Sequence, residues 1–197
     1  MATKPTGKGS QYIKVVADHV DEVRAMLELL SRREVLVGFP EDSSAREVSP
    51  DEDPDITNAA LGYIHNTGMP EQNIPARPFM EPGLEEAKDA ITRKLAKTAK
   101  RVLKREGLIA IEQGFTEVGL AAQFALRRKI NEGVPPPLSE YTLRQRAKKG
   151  RKGAQKELDR RAQGEAPSTQ FAKPLIATGQ LRNAINYVIR PRRQRNK

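Results

Sequence analysis

The 197-residue chain contains no cysteine and no tryptophan. Without cysteine it has no disulfide framework, no thiol nucleophile and no Cys-based zinc or iron–sulfur site, which fits a reducing compartment. Aromatic residues make up only 5%. There are two histidines, His19 and His65, far apart and outside any His-Glu-x-x-His pattern. His65, near the end of a short predicted helix, reads as structural or interfacial. No apolar run reaches the roughly eighteen residues of a membrane-spanning helix, so no membrane partner is expected. The first residues lack the apolar stretch of a secretory signal, so a soluble product, cytoplasmic when made, is expected. Hydrophobic residues total 37% and charged residues 30%. That supply is thin for a core spanning the whole chain, so part of it is expected to be extended loop or partner-ordered segment.

Catalytic patterns are equally scarce. There is no G-x-S-x-G and no G-x-G-x-x-G. Gly7-Lys8-Gly9-Ser10 shares letters with a P-loop, but Gly9 stands where a hydroxyl must hold Mg²⁺ and no strand precedes it. Asp51-Glu52-Asp53-Pro54-Asp55 lacks the glycine and terminal glutamate of an EF-hand loop, so it reads as a solvated acidic loop. Glu85 and Glu86 point to different sides of a helix and suit its N-terminus better than acid–base work. No enzymatic activity, cofactor or metal is expected.

What the chain does have is charge, unevenly placed. Its formal net charge is +10. Residues 1–100 hold 13 Lys+Arg against 17 Asp+Glu, and residues 101–197 hold 22 against 8, giving −4 and +14. Seven carboxylates crowd segment 41–55, and nine Lys or Arg lie between Thr142 and Arg161. The basic stretch includes Arg144, Arg146, Lys148, Lys149, Arg151, Lys152, Arg160 and Arg161 and reads as an insertion loop over 142–167. A solvated surface, phosphate contact and an acidic protein partner all fit it. It has no aromatic after Tyr141, so nucleic-acid contact there would be unspecific.

The pattern along the chain predicts an α+β fold. Residues 1–11 read as an arm, 12–190 as one domain and 191–197 as a basic tail. Asp18 is the expected cap of a helix to about Arg33, with Val20, Val23, Leu27 and Leu30 as its stripe and Met26 and Leu29 widening it. Val35–Phe39 is a β-rich run closed by Pro40. Segment 41–55 reads as an acidic loop, and Asp55 as the cap of a helix over 56–66 that Gly68 ends. The proline-rich stretch 69–80 is irregular and rigid. Leu84, Ala87, Ile91, Leu95 and Val102 mark the strongest helix. Gly107 either breaks or kinks it ahead of a second helical stretch, 108–130. Ser139 suits the cap of a short helix to Ala147, Thr178 the cap of a turn over 180–184, and 184–190 alternates as a strand.

Two segments, Gly62–Leu84 and Lys173–Val188, are more specific. Val37-Gly38-Phe39, Ile64-His65-Asn66-Thr67-Gly68, Ile74-Pro75-Ala76-Arg77-Pro78-Phe79 and Pro174-Leu175-Ile176-Ala177-Thr178-Gly179-Gln180-Leu181 occur in this order. Together they resemble the tailed-bacteriophage virion-morphogenesis families, the tail-completion or neck proteins grouped with minor tail protein Z and Mu-like protein G. Asn66-Thr67 departs from the usual acidic-plus-small pair, and Ala184 from the usual serine. The resemblance implies a small antiparallel sheet packed with one long helix and shorter helices. It implies a structural virion protein of the neck or tail end, forming a ring, six-fold where it meets the tail, without catalytic residues. Its implied partners are further copies, connector, tail-terminator or tail-tube proteins, and packaged DNA passing the lumen.

From the residues themselves, Arg77 between two prolines is presented at low entropy cost, to an ion pair or to carbonyls of a neighbouring element. Phe79 is the expected core or interface anchor, and Thr178-Gly179 the turn delivering Leu181 and Ile185 to one apolar layer. The acidic and basic halves suit head-to-tail contact between copies. The alternative function is a basic nucleic-acid-binding module contacting phosphates without sequence specificity.

Overall fold

The computed structural model describes residues 19–40 and 56–192. The arm at 1–11, the acidic loop 41–55, the caps assigned to Asp18 and Asp55, and the tail beyond Arg192 lie outside the described residues. Within them the chain is α+β, with seven α-helices and a two-stranded antiparallel sheet.

The spine is a hairpin of two long helices, α3 (Met80–Leu103) and α4 (Gly107–Glu132). Gly107 therefore breaks the helix rather than kinking it, and the link runs through Arg105, which adopts a left-handed φ of 65°. One long helix was expected as the sheet's partner; α4 takes that place, since the sheet packs on α4. The N-terminus of α3 has no side-chain cap of its own. Asn66 supplies it from a distance: its Oδ1 accepts the N–H groups of Phe79 (3.0 Å) and Met80 (3.1 Å). These are donors that a helix N-terminus cannot satisfy internally.

Helix α1 (Val20–Ser31) leads into strand β1 (Arg33–Gly38). Its packing face is Met26, Leu29 and Leu30, set against Val102, Ile111 and Phe115 of the hairpin. Val20 and Leu27, counted in the sequence stripe, point to solvent. Helix α2 (Asn58–Thr67) starts at Thr57, whose hydroxyl accepts the N–H of Ala60, and stops at Gly68 with a φ of 82°. Strand β2 (Asn186–Pro191) pairs with β1 in a register that sets Leu36 opposite Val188 and Gly38 opposite Asn186. Arg127 and Gln123 of α4 donate to the Ile185 carbonyl at 2.7 and 2.8 Å, tying the start of β2 to the spine.

The expected basic loop 142–167 is instead a helical hairpin. Helix α5 (Glu140–Lys148) opens at Ser139, which accepts the N–H of Thr142 as expected. Helix α6 (Lys152–Ala162) follows where a loop was expected. Leu143, Ala154 and Ala172 form a small core of its own, with Ala147 and Leu158 against it. The reason is local. Residues 152–162 are mostly strong helix formers, and Ala154 and Leu158, one turn apart, are apolar enough to dock. Helix α7 (Gln180–Ala184) begins at Gly179 with a φ of 89°, and the Thr178 hydroxyl makes only a long contact of 3.4 Å with the Gln180 N–H.

Two glycines inside α4 mark where other elements come close. A Cβ at Gly114 would lie 2.0 Å from Thr98 Oγ1 of α3, and one at Gly119 would lie 2.2 Å from the Tyr187 ring. Thr98 is buried and its hydroxyl is bound to the Lys94 carbonyl, so it has little room to move. Replacing Gly114 by alanine is expected to destabilise the fold by about 1–3 kcal/mol through overpacking. Chemical denaturation checks this: the midpoint falls while the denaturant slope stays unchanged.

Candidate functional site

The motif segments meet in space. Phe79, Leu126, Ile130, Val134, Leu175 and Ile185 form the main core, with Val37, Phe39 and Leu181 packed against it. Phe39 and Phe79 meet edge to face, with ring centroids 6.4 Å apart. Phe79 is thus a core residue. Leu181 and Ile185 reach the same layer, as the turn at Thr178-Gly179 was expected to arrange.

Arg77 is 6% exposed. Its backbone N–H donates to the His65 carbonyl at 2.7 Å. Its Nε donates to the Pro136 carbonyl at 3.0 Å and its Nη2 makes a longer contact with the Pro137 carbonyl. Of the two outcomes open to it, an ion pair or carbonyls of a neighbouring element, the second holds. The short backbone between Pro75 and Pro78 aims the side chain across to the 135–137 proline run, locking α2 to the start of α5.

Arg146 makes the matching contact from α5. Its Nη1 donates to the carbonyls of Lys173 (2.9 Å) and Ile176 (3.0 Å), and its Nη2 to that of Pro174 (2.8 Å). The Pro174–Leu181 segment is wrapped around this guanidinium. Arg146 therefore stands on a helix rather than on a loop, with its guanidinium held by carbonyls of the second motif segment.

Both guanidiniums wall a cavity of about 610 Å³. Of the first motif Ile74, Pro75 and Arg77 line it, and of the second Pro174, Leu175, Thr178, Gly179 and Leu181 do. Pro78 and Phe79 do not. His65 lines it as well, together with the hydroxyl residues Ser139 and Thr142. No Asp or Glu is among the lining residues described. Burial, and then the charges of Arg77 and Arg146, push the His65 imidazole below its usual range, so it is neutral at pH 7. Its Nδ1 is buried without a hydrogen-bond partner among the described residues. Burial also pushes both arginines down, and Arg77 adds to the effect at Arg146.

The other basic residues divide into two groups. Glu157, missed by the sequence reading, is fully buried and anchors the first group. It accepts from Arg160 at 3.0 and 3.1 Å, from Arg161 at 3.0 Å, and from the Ser168 N–H at 2.8 Å. Arg160 also reaches Glu165 at 2.7 Å. The signal was present: Arg160 and Arg161 stand at i+3 and i+4 from Glu157, beside the docked Ala154 and Leu158. Arg144 pairs with Glu140. The second group, Lys148, Lys149, Arg151 and Lys152, is exposed at the turn between α5 and α6. Among the described residues no group of three or more His, Asp or Glu is placed to hold a metal. No described helix is long and apolar enough to cross a membrane.

The two perturbed groups act in different pH windows. Hydrogen bonds from Arg160 hold the Glu157 carboxyl down at about 2, from an ordinary 4.5. Its stabilisation is complete above about 4.5 and is lost as pH falls towards 2. His65 is lowered from 6.5. The unfolded chain takes up that proton first, so stability declines as pH falls through and below 6.5. Glu157→Gln is expected to cost about 3 kcal/mol at pH 7, by leaving the half-buried Arg160 and Arg161 short of their counter-charge. It should also flatten the acid limb between pH 4.5 and 2, while His65→Gln flattens only the decline near 6.5. Denaturant titrations from pH 2 to 8 check both.

No protein-family model, no curated protein and no solved structure matches the chain.

Proposed function

We propose that this chain is a structural virion protein of the phage neck or tail end. In this reading it assembles as a ring, six-fold where it meets the tail, that completes the tail and helps join it to the head. One observation carries the reading. The segments that resemble the tail-completion family, separated by about a hundred residues, come together around α4: Phe39, Phe79, Leu175 and Leu181 share one core, and Arg77 and Arg146 brace it. Motifs that co-operate in one packed unit support a common fold with the resembled proteins better than scattered matches would.

A ring also needs surface that neighbouring copies can cover. Helix α4 leaves Ile109 70% and Phe124 68% exposed, with Leu120 between them. These positions fall on one stripe, since 109 and 120 are about three helical turns apart. Large apolar side chains aligned in solvent mark interaction surfaces. Connector, tail-terminator or tail-tube proteins are the proposed neighbours, and the virion, after assembly in host cytoplasm, is the proposed location.

The basic turn Lys148–Lys152 supports a second reading, unspecific contact with nucleic-acid phosphates. The pairing of Arg160 and Arg161 with Glu157 leaves this turn as the exposed basic patch of the hairpin.

A nonsense codon early in the gene, followed by negative-stain microscopy of the lysate, tests the leading reading. Filled heads beside unjoined or over-long tails are expected; normal infectious particles overturn an essential joining role. A gel shift with duplex DNA tests the second reading. Binding that weakens steeply with salt, and is lost on changing Lys148, Arg151 and Lys152 to glutamine, would favour it.

A further inference from the structure

We infer that the cavity between α2, α5 and the Pro174–Leu181 segment binds a carboxylate side chain presented by an extended segment of a partner polypeptide. The site belongs to a single chain, so it stands whether or not copies close into a ring.

The charge balance is the first observation. Two guanidiniums, Arg77 and Arg146, line one recess, and among the described residues no carboxylate lines it with them. Among the described residues their side-chain partners are backbone carbonyls. Carbonyl dipoles satisfy some of their N–H groups but carry no net charge to balance either cation. Elsewhere in the same hairpin a buried charge is answered: Glu157 faces Arg160 and Arg161. A guanidinium has five N–H donors. Arg77 uses two on carbonyls and Arg146 three, so part of each fork remains for an incoming acceptor. That fork matches a carboxylate in two-point geometry.

The walls select the rest of the ligand. Leu61, Ile74, Leu138 and Leu181 line the recess beside the cations, with the Thr142 and Thr178 hydroxyls among them. About 610 Å³ far exceeds one small anion and lies in the range of ligand-binding clefts. An acidic side chain flanked by apolar ones fills both parts. Nucleic acid does not suit it, because a duplex backbone cannot enter a recess between apolar walls. His65 supplies an internal reporter. Its imidazole is held neutral by burial and by the two arginines, and an anion between them would cancel part of that repulsion.

The test uses the full chain and a labelled Ala-Leu-Glu-Leu-Ala peptide, with its Gln counterpart as control, read by fluorescence anisotropy. The Glu peptide is expected to bind at least ten-fold more tightly than the Gln peptide and to raise the His65 titration midpoint in NMR. Arg146→Gln should weaken binding about ten-fold. Because that variant disturbs the Pro174 wrap, Ala177→Glu provides a gain-of-function arm. Ala177 is exposed at the rim and lines the cavity. A carboxylate there should occupy the site in cis, block the peptide and raise the melting temperature. The inference is overturned by any of four results. These are equal binding of the Glu and Gln peptides, no binding up to about 1 mM, displacement by equimolar inorganic phosphate, or an Ala177→Glu chain that still binds peptide.

Discussion

Helix α4 organises this molecule because it can be approached closely on two sides. At Gly114 it lets the α3 backbone come near enough for Thr98 to sit where a methyl would be, and at Gly119 it lets Tyr187 of β2 lie flat on it. A helix with side chains at both positions would hold α3 and the sheet further off. The core at Phe79, Leu126, Ile130 and Ile185 and the smaller one at Val102, Ile111 and Phe115 lie on either side of this contact line. Both need the short approach, since interiors pack near crystal density and a gap of an ångström forfeits much of the contact energy. With 5% aromatic residues, the chain closes space by bringing backbones together rather than by filling it with rings.

Polar bracing follows the same economy of apolar material. The segments 69–79, 133–139 and 173–181 have little regular structure. Buried backbone carbonyls there would be costly without donors. Arginine is suited to the task, since one planar fork can satisfy several carbonyls at once. Arg146 gathers three carbonyls of the second motif and Arg77 takes two of the proline run. The same choice leaves positive charge in the cavity among the described residues: carbonyls stabilise a cation's geometry but do not neutralise it. Bracing and binding capacity thus come from one pair of side chains.

Much of the helical architecture was legible because it is written in apolar spacing. Leu84, Ala87, Ile91, Leu95 and Val102 predict α3, although Leu95 turns out exposed, and Ile111, Phe115, Val118, Ala122 and Leu126 predict α4. Ser139 as a cap and the strand run at 35–39 follow from equally local rules. Less was legible where the decisive partner is distant in sequence. Helix α6 is highly charged and docks through two small patches, so its periodicity is faint against nine Lys and Arg from Thr142 to Arg161. Glu157 reads as one more solvated acid until Ser168 and the two arginines close over it. Asn66 stands where the resembled pattern carries an acid. Only the fold shows that its Oδ1 caps α3 thirteen residues on, a task an acid at that position would also perform. Arg77 stands out in the sequence for its prolines, but Arg146 is one of nine cations in a stretch that reads as a loop, with nothing local to separate it from Arg144.

The distribution of the basic residues decides how the formal charge should be read. Net charge is a property of the surface only where the cations are free to meet an outside partner. Here the hairpin divides them. Arg160 and Arg161 are consumed by Glu157, Arg144 is balanced on the helix surface by Glu140, and Arg146 is enclosed by carbonyls. Lys148, Arg151 and Lys152 of the short turn between α5 and α6 face solvent. A surface built to hold nucleic acid draws affinity from many phosphate contacts, each releasing a counter-ion. One turn of this size gives few such contacts, so phosphate binding there would be weak. The two cations withdrawn from the surface stand in a recess with apolar walls, where screening by salt is weakest. There, a single carboxylate would be recognised by geometry as well as by charge.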